Sequence, residues 1–329
     1  MSKKSKKKRN LQIGVVADLH GKLDAARNFA KYFLKHPVDA IVLNGDLSEF
    51  GNENSVRDVL RCFSKIKCPI YVIPGSHESK AQYDKIKDVR KKNVVDCNKM
   101  SNRKQKLDGY DLVFLPGSDF LTGAAQFKLL NGRKEIKSYR EIQKLYKRYE
   151  GRVLKFSFLE DLFRFVKNPE KTIIISHVPP LFNKLNAIDV ARFGKVLRKF
   201  KIKNIKSEML MDYVLMNGPI IEPGHVFTAD ITKEFRKHKY PVKLVVANRG
   251  NKNLATVIKM LKVTKMICGH FHESGRKGND CKGKFVKPNK RVKELFYNPG
   301  PGFEGNGGIY AVHDGEASYK NIKIKRKKQ

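Results

Sequence analysis

The chain has 329 residues, of which 40% are hydrophobic, and this is enough to bury a sizeable core. No uninterrupted apolar run reaches the roughly 20 residues that span a bilayer, and no apolar stretch follows the charged start MSKKSKKKRN, so we expect neither a membrane span nor a secretory signal. The five cysteines form no CxxC pair, which favours a reduced protein over a disulfide-rich secreted one. These features predict an intracellular, cytoplasmic protein.

The charge is strongly positive, with 69 Lys and Arg against 32 Asp and Glu and a net charge of +37. Two short basic tails, residues 1–9 and 320–329, contribute six basic side chains each. A field of this sign attracts polyanions such as nucleic acid, and the tails would also suit a nuclear or nucleoid address. The alternative is a generally basic, solvated surface that forms no binding site.

The predicted elements alternate between apolar, β-rich runs and amphipathic helical runs, the pattern of a layered α/β fold. The predicted helices cover residues 24–36, 54–66, 135–167 and 253–263. The predicted strands cover residues 11–18, 39–46, 69–75, 110–117, 172–177, 264–270, 294–300, 307–313 and 317–325. The last three follow one another without helices, which predicts an antiparallel edge or a second sheet.

Residues 181–240 interrupt this alternation. They have weak strand signals, several prolines and twelve Lys or Arg against six Asp or Glu, so we interpret them as an inserted basic cap. The core would then comprise residues 10–180 and 241–319. The alternative is a surface excursion without a role.

Histidines and acids follow several predicted strands directly, at the points where those strands end. They are Asp18, His20, Asp46, His77, His177, His270 and His272, and Ser76 stands directly before His77. Open α/β sheets bind ligands at the carboxyl ends of their strands, so these side chains would meet if the strands share a sheet. Carboxylates mixed with imidazoles suit borderline divalent metals such as Mn, Fe, Co, Ni or Zn. Two such ions could be bridged by one carboxylate.

Taken in order, the motifs D-x-H, G-D-x-x-E, G-S-H-E, S-H-x-P-P and G-H-x-H resemble those of the calcineurin-like metallophosphoesterases. The resemblance implies an α/β fold of four αββα layers, in which two mixed sheets are flanked by helices, here with an inserted cap. It also implies a phosphoesterase, most simply a phosphodiesterase, with two divalent metal ions (Mn, Fe, Zn or Ni, with Mn favoured). A metal-bridged hydroxide would attack the phosphate ester.

The resemblance further implies a role for each matching position. The first metal would be held by Asp18, His20 and His272, and Asp46 would bridge the two ions. The second metal would be held by His177 and His270. His77 would act as the general acid, oriented by Glu49.

One position departs from the family pattern, which has G-N-H-[DE] where this chain has GSHE. The asparagine oxygen ordinarily binds the second metal, and Ser76 offers a shorter, poorer ligand. The alternative function is therefore a catalytically weakened protein of the same fold that binds nucleic acid or ribonucleoprotein. A hydrolase of small nucleotides with an incidental basic surface is a third interpretation. A serine nucleophile at Ser176 is disfavoured because the G-x-S-x-G elbow is absent.

Overall fold

A computed structural model describes residues 10–48, 55–89, 93–119, 125–128, 155–203, 207, 210–211, 214 and 218–325. The chain divides into two compact units. The first comprises Met1–Asp189 and Gly250–Gln329, and the second comprises Val190–Arg249. Among the helices in the described part of the chain, none is long and apolar enough to cross a membrane.

Strands and helices alternate over residues 11–96, and the sequence predicts this pattern. The strands are β1 Leu11–Val16, β2 Ala40–Asn44, β3 Ile70–Ile73, β4 Val94–Asp96, β5 Lys104–Leu107, β6 Tyr110–Leu115, β7 Ala125–Lys128, β8 Lys155–Phe158, β9 Thr172–Ser176, β10 Val190–Val196, β11 Phe200–Lys201, β12 Ile220–Ile221, β13 Val226–Thr228, β14 Val242–Asn248, β15 Lys265–Ile267, β16 Lys277–Asn279, β17 Phe285–Val286, β18 Leu295–Asn298, β19 Asn306–His313 and β20 Glu316–Lys323. The helices are α1 Leu23–Lys35, α2 Ser55–Cys62, α3 Lys80–Asp84, α4 Asp161–Phe165, α5 Ala229–Lys237 and α6 Lys252–Leu261.

Two mixed sheets form the body of the first unit. One has the order β20-β19-β1-β2-β3-β4, in which β1 to β4 are parallel while β19 runs antiparallel to β1. The other has the order β17-β16-β18-β15-β9-β6-β5, with a parallel centre of β18, β15, β9 and β6. The α/β class with mixed sheets is therefore confirmed, and the four-layer arrangement and the cap stay predictions.

Three apolar clusters hold this unit together. The first packs α1 and α2 against one face of the β1 sheet, through side chains such as Phe29 and Phe63. The second contains residues of both sheets, among them Ile13 and Ile175. The third packs α4 and α6 against the β9 sheet, around Leu162 and Ile258. Strand residues buried on both faces explain why β1, β2 and β9 appear in the sequence as nearly continuous apolar runs.

Several predicted elements differ from the structure. The helix predicted over 135–167 is wrong at its end, because Lys155–Phe158 pairs with β7 as a parallel strand and only Asp161–Phe165 is helical; residues 135–154 lie outside the described part. Partner strands from elsewhere in the chain thus override a local helical pattern. The last three predicted strands do not form one edge: β19 and β20 pair antiparallel, whereas β18 lies parallel to β15 in the other sheet.

The second unit has its own small core. Strands β13, β10 and β14 form an antiparallel sheet, on which α5 packs Phe235 against Phe227. Strands β10 and β14 were not predicted from the sequence, although VKLVVAN in β14 is rich in β-branched residues. This unit begins and ends nine residues later than the predicted segment 181–240, and its role as a cap stays a prediction.

Candidate metal centre

Five strands deliver the side chains singled out in the sequence. β1, β2 and β3 lead to Asp18, Asp46 and Ser76 in one sheet, while β9 and β15 lead to His177 and His270 in the other. The strands therefore do not share one sheet, and the carboxyl ends of two sheets supply the residues instead. The ends of the two sheets meet, since His177 Nε2 after β9 lies 3.1 Å from Asp46 Oδ2 after β2.

The backbone at these positions is held in an uncommon conformation. Asp18, His20, Asp46 and His270 have φ values of 54°, 44°, 50° and 71°, in the left-handed region that costs L-residues about 1–2 kcal/mol each. Hydrogen bonds maintain it: the N–H of Asp18 donates to the carbonyl of Gly45 (3.0 Å), and that of His20 to the carbonyl of Asp46 (2.9 Å). Strain of this kind is concentrated at functional sites.

The first cluster joins Asp18, His20 and His272, whose ligand atoms all lie within 4.8 Å of one another. Asp18 Oδ1 lies 3.3 Å from His272 Nε2, and His20 Nε2 lies 3.4 Å from the same nitrogen. The Asp18 side chain is almost fully buried, at 1% exposure, and its other oxygen accepts the N–H of His270. These are the residues predicted for the first metal.

The second cluster joins Asp46, His177 and His270. His177 Nε2 lies 3.1 Å from Asp46 Oδ2 and 3.3 Å from His270 Nδ1. The other nitrogen of this ring, Nδ1, is 2.8 Å from the carbonyl oxygen of Asn44. Since a carbonyl only accepts, Nδ1 carries a proton, and Nε2 is the nitrogen that faces the cluster.

The ionisable groups of the second cluster shift one another's pKa values. Burial disfavours the charged form of His177, but the carboxylates of Asp46 and Asp18 raise its pKa to about 10. Burial and the charge of His177 lower the pKa of His270 to about 3. Although burial works against ionisation of Asp46, the charge of His177 holds its pKa well below the usual value. The group thus keeps a proton on one imidazole to balance two buried carboxylates.

The donors fit divalent metal ions. In each cluster two imidazole nitrogens lie within 3.4 Å of each other, and one of them also lies within 3.3 Å of a carboxylate oxygen. A single proton can bridge only one of these two contacts at a time. A cation between them would satisfy both lone pairs and the adjacent carboxylate together. The set of carboxylate oxygens and imidazole nitrogens is that of a transition-metal or zinc site rather than a calcium site.

The chain is also similar to known proteins. A family model described as calcineurin-like phosphoesterase matches residues 11–205, which is more than half of the chain. The chain belongs to this family. It is 32% identical over 87 residues (23% of this chain, 35% of the relative) to a probable cyclic nucleotide phosphodiesterase of Coxiella burnetii. It is 26% identical over 134 residues (37% and 51%) to another of Fibrobacter succinogenes. The chain thus spans about a third of the length of the first relative and about half of the length of the second.

A solved structure of a dimetal phosphatase from Danio rerio has a similar fold, with a TM-score of 0.50 and 12% identity. The similarity covers 95% of this chain and 98% of that one. At this identity the comparison shows the fold alone.

Two glycines let the loops of this calcineurin-like phosphoesterase approach closely. A Cβ on Gly75 would lie 2.6 Å from the backbone nitrogen of Asp46 and 2.9 Å from the ring of His177. Gly45 has a φ of +78°, and a Cβ there would lie 2.6 Å from His177 Nδ1. Any side chain at either position would displace Asp46 or His177, two of the three residues of the second cluster.

Ser76 lies beside Asp46. Its Oγ donates to Asp46 Oδ2 at 2.8 Å, and its backbone N–H donates to Asp46 Oδ1. The hydroxyl therefore contacts the cluster through the carboxylate, and its proton is directed at the same oxygen that faces His177. An asparagine side chain would be longer by one bond.

His77 lies next to the first cluster. Its ring centroid is 4.6 Å from that of His20, and its ligand atom forms a third close set with those of His20 and Asp46. Its backbone N–H donates to Asp46 Oδ1 at 2.9 Å, which fixes the start of the side chain. Glu49, the residue predicted to orient His77, lies outside the described residues.

Glu78, the last residue of GSHE, was not predicted to have a role. Its buried carboxylate accepts N–H groups from two loops: those of Asp46 (3.2 Å), Leu47 and Ser48 (3.1 Å) after β2, and that of Gly75 (2.7 Å) after β3. Burial and the charge of Asp46 raise its pKa to about 7. The position of Glu78 in the sequence, directly after Ser76 and His77, could have indicated this role, because a carboxylate can accept hydrogen bonds from several backbone N–H groups.

Asn298 was also given no role, although it begins the motif NPG. Its buried amide donates to the carbonyls of Gly269 (3.3 Å) and Phe271 (3.1 Å), on either side of His270. It therefore fixes the loop that carries both His270 and His272.

Proposed function

We propose that this protein is a dinuclear-metal-dependent phosphoesterase that cleaves a phosphodiester. One observation carries the proposal: two Asp/His clusters, built from strand ends of two sheets, lie side by side with Asp46 close to both. His20 links them, since it belongs to the set of Asp18 and His272 and also to a set with Asp46 and His77.

The residues would divide between two ions. Asp18, His20 and His272 would hold one, His177 and His270 the other, and Asp46 would lie between them. Two divalent ions in such a site supply Lewis acidity, which lowers the pKa of water and offsets charge on the phosphate oxygens. Manganese is the ion we propose to be native.

His77 would protonate the leaving oxygen. It is partly exposed, its backbone is fixed on Asp46, and its ring lies against that of His20. A positioned acid of this kind contributes roughly 10²–10⁴-fold to the rate. We further propose that Glu49 orients this imidazole.

Two observations support a phosphodiester as the class of substrate. Both relatives are named as probable cyclic nucleotide phosphodiesterases, which favours a phosphodiester over a monoester. The chain's net charge of +37 would concentrate anionic substrates near it. A cyclic nucleotide and a nucleic-acid backbone both contain the required bond.

The test combines metal analysis with hydrolysis of a bis-aryl phosphate in added Mn²⁺. We expect two ions per chain and metal-dependent turnover. Asp46→Ala should lose both metal and turnover, whereas His77→Ala should lose turnover and keep its metal. His36→Ala, at an exposed position after α1, is the control and should change neither. Turnover retained in Asp46→Ala would contradict the proposal.

Ser76 favours a second candidate, a catalytically weakened member of the family that binds nucleic acid or ribonucleoprotein. Its hydroxyl is engaged with Asp46 at 2.8 Å and supplies no long ligand to the second ion. This candidate predicts fewer than two ions per chain, no turnover in Mn²⁺, and salt-dependent binding of RNA or DNA.

A further inference from the structure

A groove in the first unit combines positive charge with an apolar floor. Its volume is about 960 Å³, and it is open to solvent. Four lysines line it, against a single acid: Lys184, Lys259, Lys262 and Lys282. We call this feature the lysine groove.

The floor of the lysine groove is aromatic and aliphatic. Phe182 packs edge-on against the buried ring of Phe296, with centroids 5.4 Å apart, and Ile258 lies beside them. The acid of the groove, Glu294, is partly buried and accepts the N–H of Cys281 at 3.2 Å. A ligand in this groove would therefore meet ammonium groups at the rim and carbon below.

A basic segment, residues 281–293, continues from the groove. It begins at Cys281 and Lys282, which line the groove, and contains no acid. All of its cationic side chains are exposed: Lys282, Lys284, Lys287, Lys290, Arg291 and Lys293. Phe285, in the same segment, is 41% exposed.

The basic segment is ordered by its backbone rather than by ion pairs. The carboxylate of Asp280 accepts the N–H groups of Lys282 (2.8 Å) and Lys284 (2.9 Å). Further along, Asn289 and Val292 donate their N–H groups to β20. The cations thus extend into solvent from a fixed scaffold, and no salt bridge within the described residues pairs them.

We propose that the lysine groove and the basic segment together bind single-stranded nucleic acid. Such sites combine a basic track for the phosphates with apolar and aromatic surfaces on which bases stack. Bases would lie against Phe182 in the groove and on Phe285, and phosphates would lie along the lysines. A duplex buries its bases and could use only the charges. Pro180, which lines the groove, follows His177 by three residues, and its Cα therefore lies within about 11 Å of that of His177.

The experiment measures binding of the full-length, metal-loaded chain to a fluorescent single-stranded oligonucleotide with hydrolysis-resistant phosphorothioate linkages. The groove variant carries Lys259→Gln, Lys262→Gln and Lys282→Gln. The control variant carries Lys31→Gln, Lys35→Gln and Lys65→Gln on α1 and after α2, where the nearby arginines are paired with Asp24 and Asp58. Both variants lose the same charge, and each loses one lysine from the last turn of a helix.

The groove variant should bind at least about tenfold more weakly, and its plot of log affinity against log salt should flatten by about 2, from roughly 0.7 per lost phosphate contact. The control should change little. Phe285→Leu should weaken single-strand binding by at least about fivefold. Equal losses in the two lysine variants would overturn the proposal, as would binding of a matched duplex, or of anionic vesicles, as tightly as the single strand.

Discussion

Gly75→Ala adds one methyl group to the loop after β3 and should empty the metal centre. The new Cβ would lie 2.6 Å from the Asp46 nitrogen, whereas ordinary contact begins at 3.4 Å, so the two loops must separate by about 0.8 Å. Binding constellations tolerate displacements of only about 0.5 Å, and a shift of about 1 Å can cost about 10²-fold in rate. Overpacking should also lower the free energy of unfolding by about 1–3 kcal/mol.

Gly14→Ala is the matched control. A Cβ there would lie 2.6 Å from the ring of Phe33, in the core between β1 and α1 and away from the clusters. Both variants should lose comparable stability in chemical denaturation of the metal-free protein. Only Gly75→Ala should lose metal by elemental analysis and turnover by about 10²-fold or more. If Gly75→Ala kept two ions and full turnover, the close approach of the loops would have no part in the site.

Three further predictions concern the same loops. Ser76→Asn should tighten binding of the second ion by about 10-fold or more, and Ser76→Ala should weaken it. Groups that support metal ligands act on this scale. If calorimetric titration with Mn²⁺ showed the same affinity for both variants and the parent, the role given to Ser76 would be contradicted. Glu78 has a folded pKa of about 7 against 4.5, so its contribution to stability is present below pH 4.5 and lost as the pH rises through 7. The metal-free protein should therefore lose about 3 kcal/mol from this group over that range, and Glu78→Gln, which cannot titrate, should lack this slope. Mn²⁺ at about 100 times its dissociation constant should raise the free energy of unfolding by about 2.7 kcal/mol for each ion bound, and Asp46→Ala should abolish that increase.

The sequence predicted the elements whose burial is simple. β1, β2 and β9 are apolar on both faces, and α1 and α6 bury one stripe, so a local pattern contains most of the information. The strand at Lys155–Phe158 could not be found this way, because its pairing partner lies some thirty residues earlier, at Ala125–Lys128. Long-range pairing decides such segments.

The site was predictable as a set of residues but not as a geometry. Asp18, His177 and His272 follow apolar runs and so could be placed at strand ends. These residues come from two sheets rather than one because of how the strands pair. The order of the motifs along the chain does not determine that pairing. Glu78 illustrates the same limit, because its four backbone donors become neighbours only after β2 and β3 pair.

The most direct test is an anomalous diffraction experiment on crystals of the full chain grown with Mn²⁺. Two peaks should appear about 3.5–4 Å apart, one among Asp18, His20 and His272 and the other beside His177 and His270, with Asp46 between them. A single peak, or manganese bound only at other surfaces, would contradict a dinuclear centre.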